Sequence, residues 1–321
     1  MKKALVVGID NYGNGNNLKG CVNDAQAIAQ ILKRHADGTL NYDVKLKENV
    51  LTKDELTEHI QNLFKGDSDS AIFFYSGHGY VDDYGKASLV TPDMSPHTPG
   101  VSMDDILTWA NNSKVNNKII ILDCCFSGNM GNFSGDGTKT SLNDGVTILT
   151  ASKADELSVE LDGHGLFTAL LISALEGGAS DLLGYITPGS IYSYIDKALG
   201  PWGQRPVFKS NVSKFDIIRT VTPPIDVSIL RELPEIFKSK EISLDPSYEE
   251  TNTLSDKHEV IEPYADENNI KLFKKLQKLT SNGLVKPVGE DHMYYAAMRR
   301  KSCELTSLGE YYLKLAKEER F

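Results

Sequence analysis

The chain has 321 residues and a net charge of −10, with a sequence pI near 5.2. That length is too great for one ordinary core and suits a large α/β unit with a small second one. The charge argues against chain-wide affinity for nucleic-acid phosphates or anionic membrane surfaces. Four cysteines, at 21, 124, 125 and 303, include an adjacent pair but no spaced C-x-x-C. Neither a zinc site nor a disulfide frame is indicated, and reduced thiols in a cytoplasmic setting are expected.

Met1-Lys2-Lys3 has the charge of a secretory leader, but the apolar run at 4–9 breaks at Asp10 and reads as a first strand. From Lys3 to about Ser213 short β-branched runs alternate with helical periods, the pattern of a largely parallel sheet covered on both faces. Further strands are expected at 42–46, 71–75, 118–123, 146–151 and 206–210. Helices are expected at 24–36, at 53–64 behind a Thr52 cap, at 102–110 and at 166–175. Nothing approaches the apolar length of a bilayer-spanning helix. Between Cys125 and Val146 small polar residues dominate, as in a long loop leaving a strand's C-terminal end.

Two segments carry the chemistry. Ile119-Ile120-Ile121-Leu122-Asp123-Cys124-Cys125-Phe126-Ser127-Gly128 reads as a buried strand ending in a thiol, at the sheet edge where α/β sites form. Ala71-Ile72-Phe73-Phe74-Tyr75-Ser76-Gly77-His78-Gly79 ends in a His framed by glycines. A thiol needs a base to become a thiolate near neutral pH, and an imidazole on a neighbouring strand end supplies one. Gly79 offers a backbone N–H beside that of Cys125 for a developing oxyanion. Cys21, Cys124 and Cys303 read by default as small buried hydrophobes.

Tyr75-Ser76-Gly77-His78-Gly79 and Asp123-Cys124-Cys125-Phe126-Ser127-Gly128, together with Gly20-Cys21-Val22-Asn23-Asp24-Ala25 and His164-Gly165-Leu166-Phe167-Thr168, resemble the caspase-like cysteine peptidases (peptidase C14). The metacaspase branch is the nearest, over roughly the first two-thirds of the chain. The resemblance implies an α/β fold with a mostly parallel six-stranded sheet sandwiched by helices. It implies Cys125 as nucleophile and His78 as base, with no obligatory third member and no cofactor needed for the chemistry. Phe126 stands where metacaspases usually carry His, a position that is not the base. The acids matching Asp24 and Asp123 line the S1 pocket in that family, with Ser76 and Cys21 at further lining positions. Two carboxylates at a pocket base favour Arg or Lys and repel an acidic P1 residue. For Asp24 the alternative is a helix cap. Calcium-activated members carry acids matching Asp93, Asp104 and Asp105, and oxygen ligands suit that ion as an activator. A helix start is the alternative for Asp104-Asp105; the fourth family acid falls near Asn132, with Asp136 nearby. Lys139, the one basic residue in the loop after the nucleophile, is the candidate self-cleavage point.

The peptidase-like unit is expected to span 1–222. Residues 223–267 are acidic, with Pro234, Pro246 and Pro263, and read as a linker at best partly ordered. Residues 268–321 resume a compact unit: a helix at 269–279, a Gly283 C-cap, a hairpin from 284–288 and 293–298, and a helix at 305–317. This order resembles a small α+β winged helix. Arg299-Arg300-Lys301 suggests a DNA-reading wing tip, but the surrounding acids dilute the field that DNA needs, so a protein partner is preferred. The alternatives to a peptidase cutting after Arg or Lys are a catalytically silent scaffold and a DNA-binding regulator acting through the C-terminal unit.

Overall fold

Unbroken apolar strands need cover on both faces, and that need organises the first of the two units into which the chain divides, Met1–Thr222 and Pro223–Phe321. The computed structural model describes residues 1–13, 15–95, 98–124, 141–151, 160–161, 164–200, 206–254 and 260–321. The first unit begins with β1 (Lys2–Gly8), α1 (Cys21–Lys33), β2 (Asp43–Glu48), α2 (Lys53–Phe64), β3 (Ser70–Ser76), β4 (Gly79–Val81), β5 (Ala87–Leu89), β6 (Val101–Ser102) and α3 (Met103–Asn111). It continues through β7 (Asn117–Asp123), β8 (Val146–Thr150), β9 (Glu160–Leu161), β10 (His164–Gly165), α4 (Leu166–Ser173), β11 (Tyr185–Ile186), α5 (Pro188–Leu199), β12 (Val207–Asn211) and β13 (Arg219–Thr220).

The six-stranded sheet runs β12-β8-β7-β3-β1-β2. It is parallel except at the edge, where β12 pairs antiparallel with β8. Successive strand residues face opposite sides. Leu5, Val7, Phe73 and Leu122 pack with Leu56 and Ile60 of α2 and Ile106 of α3. Val6, Ile72, Phe74 and Ile121 pack with Ile28 of α1, Leu171 of α4 and Ile191 of α5. Burying one such side chain stabilises by about 1.5–3 kcal/mol, and Leu56→Ala should cost about 2–5 kcal/mol through the cavity it leaves.

All six expected strands are present. After β1 the chain builds β2 on one side and β3 on the other, so strand order reverses there and opens a crevice at the carboxyl ends. Register sets Gly8, Ser76 and Asp123 side by side at that edge. Helix α1 starts at Cys21, ahead of the expected 24, because Asp10 at the end of β1 accepts the Cys21 and Val22 N–H groups at 2.9 and 3.3 Å. A cap supplied from another element leaves no local sequence signature. Helix α5 was not expected at all. It opens at Thr187-Pro188-Gly189-Ser190, which resembles a turn, yet Pro188 stands in its first turn and Thr187 and Ser190 form a reciprocal capping box.

The second unit holds α6 (Val227–Arg231), α7 (Leu233–Ile236), β14 (Glu241–Ser243), α8 (Glu267–Ser281), β15 (Val285–Val288), α9 (Met293–Met298), β16 (Ser302–Leu305) and α10 (Ser307–Lys317). Two expectations need correction. The acidic stretch from 223 is no bare linker: Leu230, Leu233, Phe237 and Leu244 are buried, and β14 joins the antiparallel sheet β14-β16-β15. Its acids find cations on α8, where Glu232 pairs with Lys275 and Glu250 with Lys274. The hairpin partner of β15 is β16, not 293–298, which is helical because Met293, Ala296 and Ala297 share one buried face at helical spacing.

Candidate active site

β3 is buried along its whole length and delivers His78 two residues beyond its end, beside Gly79 at the start of β4. The His78 Nε2 lies 2.8 Å from the Asn16 carbonyl oxygen. A carbonyl can only accept, so that contact assigns the ring proton to Nε2 and leaves the Nδ1 lone pair to take a proton. Asn16, His78, Gly79, Val90 and Met94 help line a cleft of about 510 Å³.

The acids gather at the neighbouring strand ends. Asp24 is 2% exposed and its two oxygens are engaged separately. Oδ2 accepts from the Ser76 hydroxyl at 3.0 Å, and Oδ1 lies 2.7 Å from His164 Nδ1. Burial raises the Asp24 pKa, opposed by the His164 and Ser76 contacts and by the Gly165 backbone. Its carboxylate is thus committed to Ser76 and His164, while Asp10, not Asp24, accepts the N–H groups at the start of α1. Asp123 Oδ2 accepts from the Thr168 hydroxyl at 2.6 Å. Its pKa is pushed up to about 6 by burial, with the Asp24 charge adding and the Thr168 bond opposing. A Cβ at Gly165 would stand 2.9 Å from Asp123 Oδ2, so glycine permits the approach of β10. Cys21 completes the cluster. Burial pushes its thiol up to about 12, Ser76 hydrogen-bonds to it, and the Asp10, Asp24 and Asp123 charges oppose its ionisation. That thiol stays protonated and is a poor nucleophile.

Asp24, Asp123, Ser76 and Cys21 thus come together, with His78 and Gly79 at the same sheet edge. Cys125 and Lys139, like Asn132 and Asp136, lie outside the described residues. Cys124 and Cys303 are buried, and burial pushes the Cys303 thiol up to about 12. Asp93 accepts the Lys53 N–H at 3.1 Å at the start of α2, and the Thr91 hydroxyl at 2.6 Å. Asp104 and Asp105 stand in the first turn of α3 behind a Ser102 cap, where burial and then the Asp105 charge raise the Asp104 pKa. Among the described residues no three His, Cys, Asp or Glu side chains gather to hold a metal ion. Asp93, Asp104 and Asp105 do not come together in such a group.

Asp10, Tyr12, Asn16, His164 and Thr168 were not singled out as site residues. His164 and Thr168 sit within a segment that carries the family resemblance, which was the available signal. Asn16 acts through its carbonyl, which no side chain advertises.

The caspase domain model of peptidase C14 matches residues 1–214. Metacaspase-1 of Meyerozyma guilliermondii is 37% identical over 88 residues, 25% of this chain and 22% of that protein. Metacaspase-1 of Debaryomyces hansenii is 36% identical over 121 residues, 33% of this chain and 27% of that protein. The chain thus spans about a quarter of the length of the curated metacaspases it matches. Among solved structures, protein GSU0716 from Geobacter sulfurreducens superposes with a TM-score of 0.51 at 15% identity, over 69% of this chain and 99% of that one. Caspase-1 from Spodoptera frugiperda gives 0.50 at 14%, over 69% and 90%. At those identities the likeness is one of fold. With residues 1–214 matched, the chain belongs to the caspase domain family, peptidase C14.

Proposed function

We propose that the chain is a cysteine endopeptidase that cleaves proteins after Arg or Lys. The observation that carries the specificity is the pair of carboxylates beside the His78 edge, Asp24 buried and Asp123 half-buried. Together they offer a P1 guanidinium or ammonium a desolvated anionic partner and would repel an acidic P1 side chain.

The chemistry uses few groups. His78 Nδ1 takes the Cys125 thiol proton, and the thiolate attacks the scissile carbonyl carbon. The carbonyl electron pair moves to oxygen, where the N–H groups of Gly79 and Cys125 receive the negative charge. Collapse of that adduct expels the amine, which takes the proton back from His78, and leaves a thioester. Water, deprotonated by His78, attacks the thioester, and the thiol departs with the proton.

Arg299, the expected wing tip, is bound to Glu290 at 2.8 Å and lies over the Tyr295 ring, and Arg300 donates to the Glu262 carbonyl. Cations committed in this way have little to offer a phosphate backbone, which supports partner recognition over DNA binding for the C-terminal unit. Labelling the full chain with an Arg chloromethyl ketone, followed by mass spectrometry, tests the assignment. An adduct on Cys125 that is lost in His78→Ala is expected; an adduct on Cys21 or Cys124 would overturn it.

A further inference from the structure

His78 is held by its main chain as well as by its ring. Its N–H donates to the Tyr12 hydroxyl at 2.9 Å, and that hydroxyl lies 3.1 Å from the hydroxyl of Tyr75. The Tyr75 hydroxyl in turn lies 2.8 Å from the Val90 carbonyl and 3.0 Å from the carbonyl of His78 itself. Each phenol has one proton, so the directions are determined. His78 N–H donates to Tyr12, Tyr12 O–H to Tyr75, and Tyr75 O–H to the two carbonyls. The chain of bonds therefore leaves from the His78 amide and returns to the His78 carbonyl. Consecutive donors of this kind polarise and strengthen one another in a dry interior. Burial raises both phenol pKa values far above any working pH, so both protons stay in place.

Two further observations show that the arrangement is built. A Cβ at Gly77 would sit 2.4 Å from the Tyr12 hydroxyl oxygen and 2.6 Å from that of Tyr75, so only glycine lets both phenols reach this turn. The Tyr12 ring also packs against the His78 imidazole, with centroids 4.6 Å apart.

The consequence concerns the next peptide. The His78 carbonyl accepts from Tyr75 and also from the Val90 N–H at 3.0 Å. In a trans peptide the N–H points opposite to the carbonyl, so fixing that oxygen fixes the direction of the Gly79 N–H. Gly79 is paired with Leu89, and the bond from Val90 to His78 beside it marks a position where the ladder does not use the Gly79 N–H. That N–H is turned away from β5.

We infer that Tyr12 and Tyr75 are positioning residues that hold both the base His78 and the oxyanion donor Gly79 N–H through one hydrogen-bonded loop of phenols. The inference rests on the proposed peptidase reading, because it assigns those two groups their work. Tyr75 is fully buried and Tyr12, at the edge of the cleft, is 9% exposed, so the role assigned to both is the hold their hydroxyls keep on the His78 main chain. Removing either hydroxyl frees the His78–Gly79 peptide to tilt, and displacements near 1 Å in a reacting constellation cost about a hundredfold in rate.

The test compares full-length wild type, Tyr12→Phe, Tyr75→Phe and the double variant. It measures hydrolysis of a peptidyl-Arg fluorogenic substrate, the pH dependence of Cys125 alkylation by iodoacetamide, and thermal melting. Each single variant should lose about ten- to a hundredfold in kcat with KM little changed. The double variant should be no worse than the poorer single, since both belong to one chain of bonds. Alkylation of Cys125 near neutral pH should slow in step, at temperatures where all four proteins are folded. Variants that hydrolyse and alkylate like the wild type, or that lose activity only through KM, would overturn the inference. If the wild type hydrolyses no peptide, the peptidase reading fails, while the alkylation series still judges the clamp: slowing in both tyrosine variants supports it and equal rates refute it.

Discussion

The His78 end of the sheet and the acid pocket beside it are held by different means. At His78 the main chain is fixed by neutral phenols whose protons burial keeps in place. At the pocket Asp24 and Asp123 are held through their side chains, and burial raises the pKa of both, so their charge depends on pH. One stretch of sheet edge thus divides into a part that fixes geometry and a part that stores charge. Damage to the first should appear in kcat, and damage to the second in KM and its pH dependence.

The largest expected effect belongs to the reacting groups. Cys125→Ala and His78→Ala should each lower kcat/KM by at least about a thousandfold without unfolding the protein. Cys124→Ala should keep most of the activity, because that side chain is buried. Comparable losses in all three would erase the distinction between reacting and packing thiols. Next come the acids. Asp24→Asn or Asp123→Asn should weaken cleavage after Arg by about 2–5 kcal/mol, roughly 30- to 5,000-fold in kcat/KM and chiefly through KM, since a buried cation loses its partner. A loss confined to kcat would show that these acids do not receive the P1 side chain.

The pH dependence sharpens the same contrast. With its pKa raised to about 6, Asp123 gains charge as pH rises through that value, so KM for an Arg substrate should climb as pH falls below about 6, by up to tenfold per unit. Asp123→Asn should flatten that limb. The stability effect has the opposite sense. Between the ordinary carboxyl value of 3.8 and about 6 the folded protein keeps a proton that the unfolded chain has lost, so this group's contribution to stability falls as pH rises through that window. Melting curves of wild type and Asp123→Asn between those pH values measure it. The smallest effect falls outside the site. Asp93→Ala strips the carboxylate from the start of α2 and should cost about 1 kcal/mol, or about 2–4 °C in melting temperature.

How much of this was legible in the sequence depended on distance along the chain. β1, β3, β7 and β8 were readable because buried parallel strands are continuous apolar runs, and the Thr52 cap because it lies within one turn of the helix it serves. What escaped reading is bonded across the chain: Asp10 capping α1, Tyr12 reaching His78, and His164 reaching Asp24 over 140 residues. The acidic stretch after 223 misled because composition averages over Leu230, Leu233 and Phe237, the few apolar residues that anchor it. Met293–Met298, expected as half of a hairpin, carries Met293, Ala296 and Ala297 at helical spacing.

The most direct measurement is cleavage of a peptide library, varied at P1, by the full chain with Cys125→Ala run in parallel. The account predicts cuts after Arg and Lys and none after Asp, with every cut absent from Cys125→Ala. Equal cleavage after Asp and Arg, or cleavage that survives in Cys125→Ala, would contradict it.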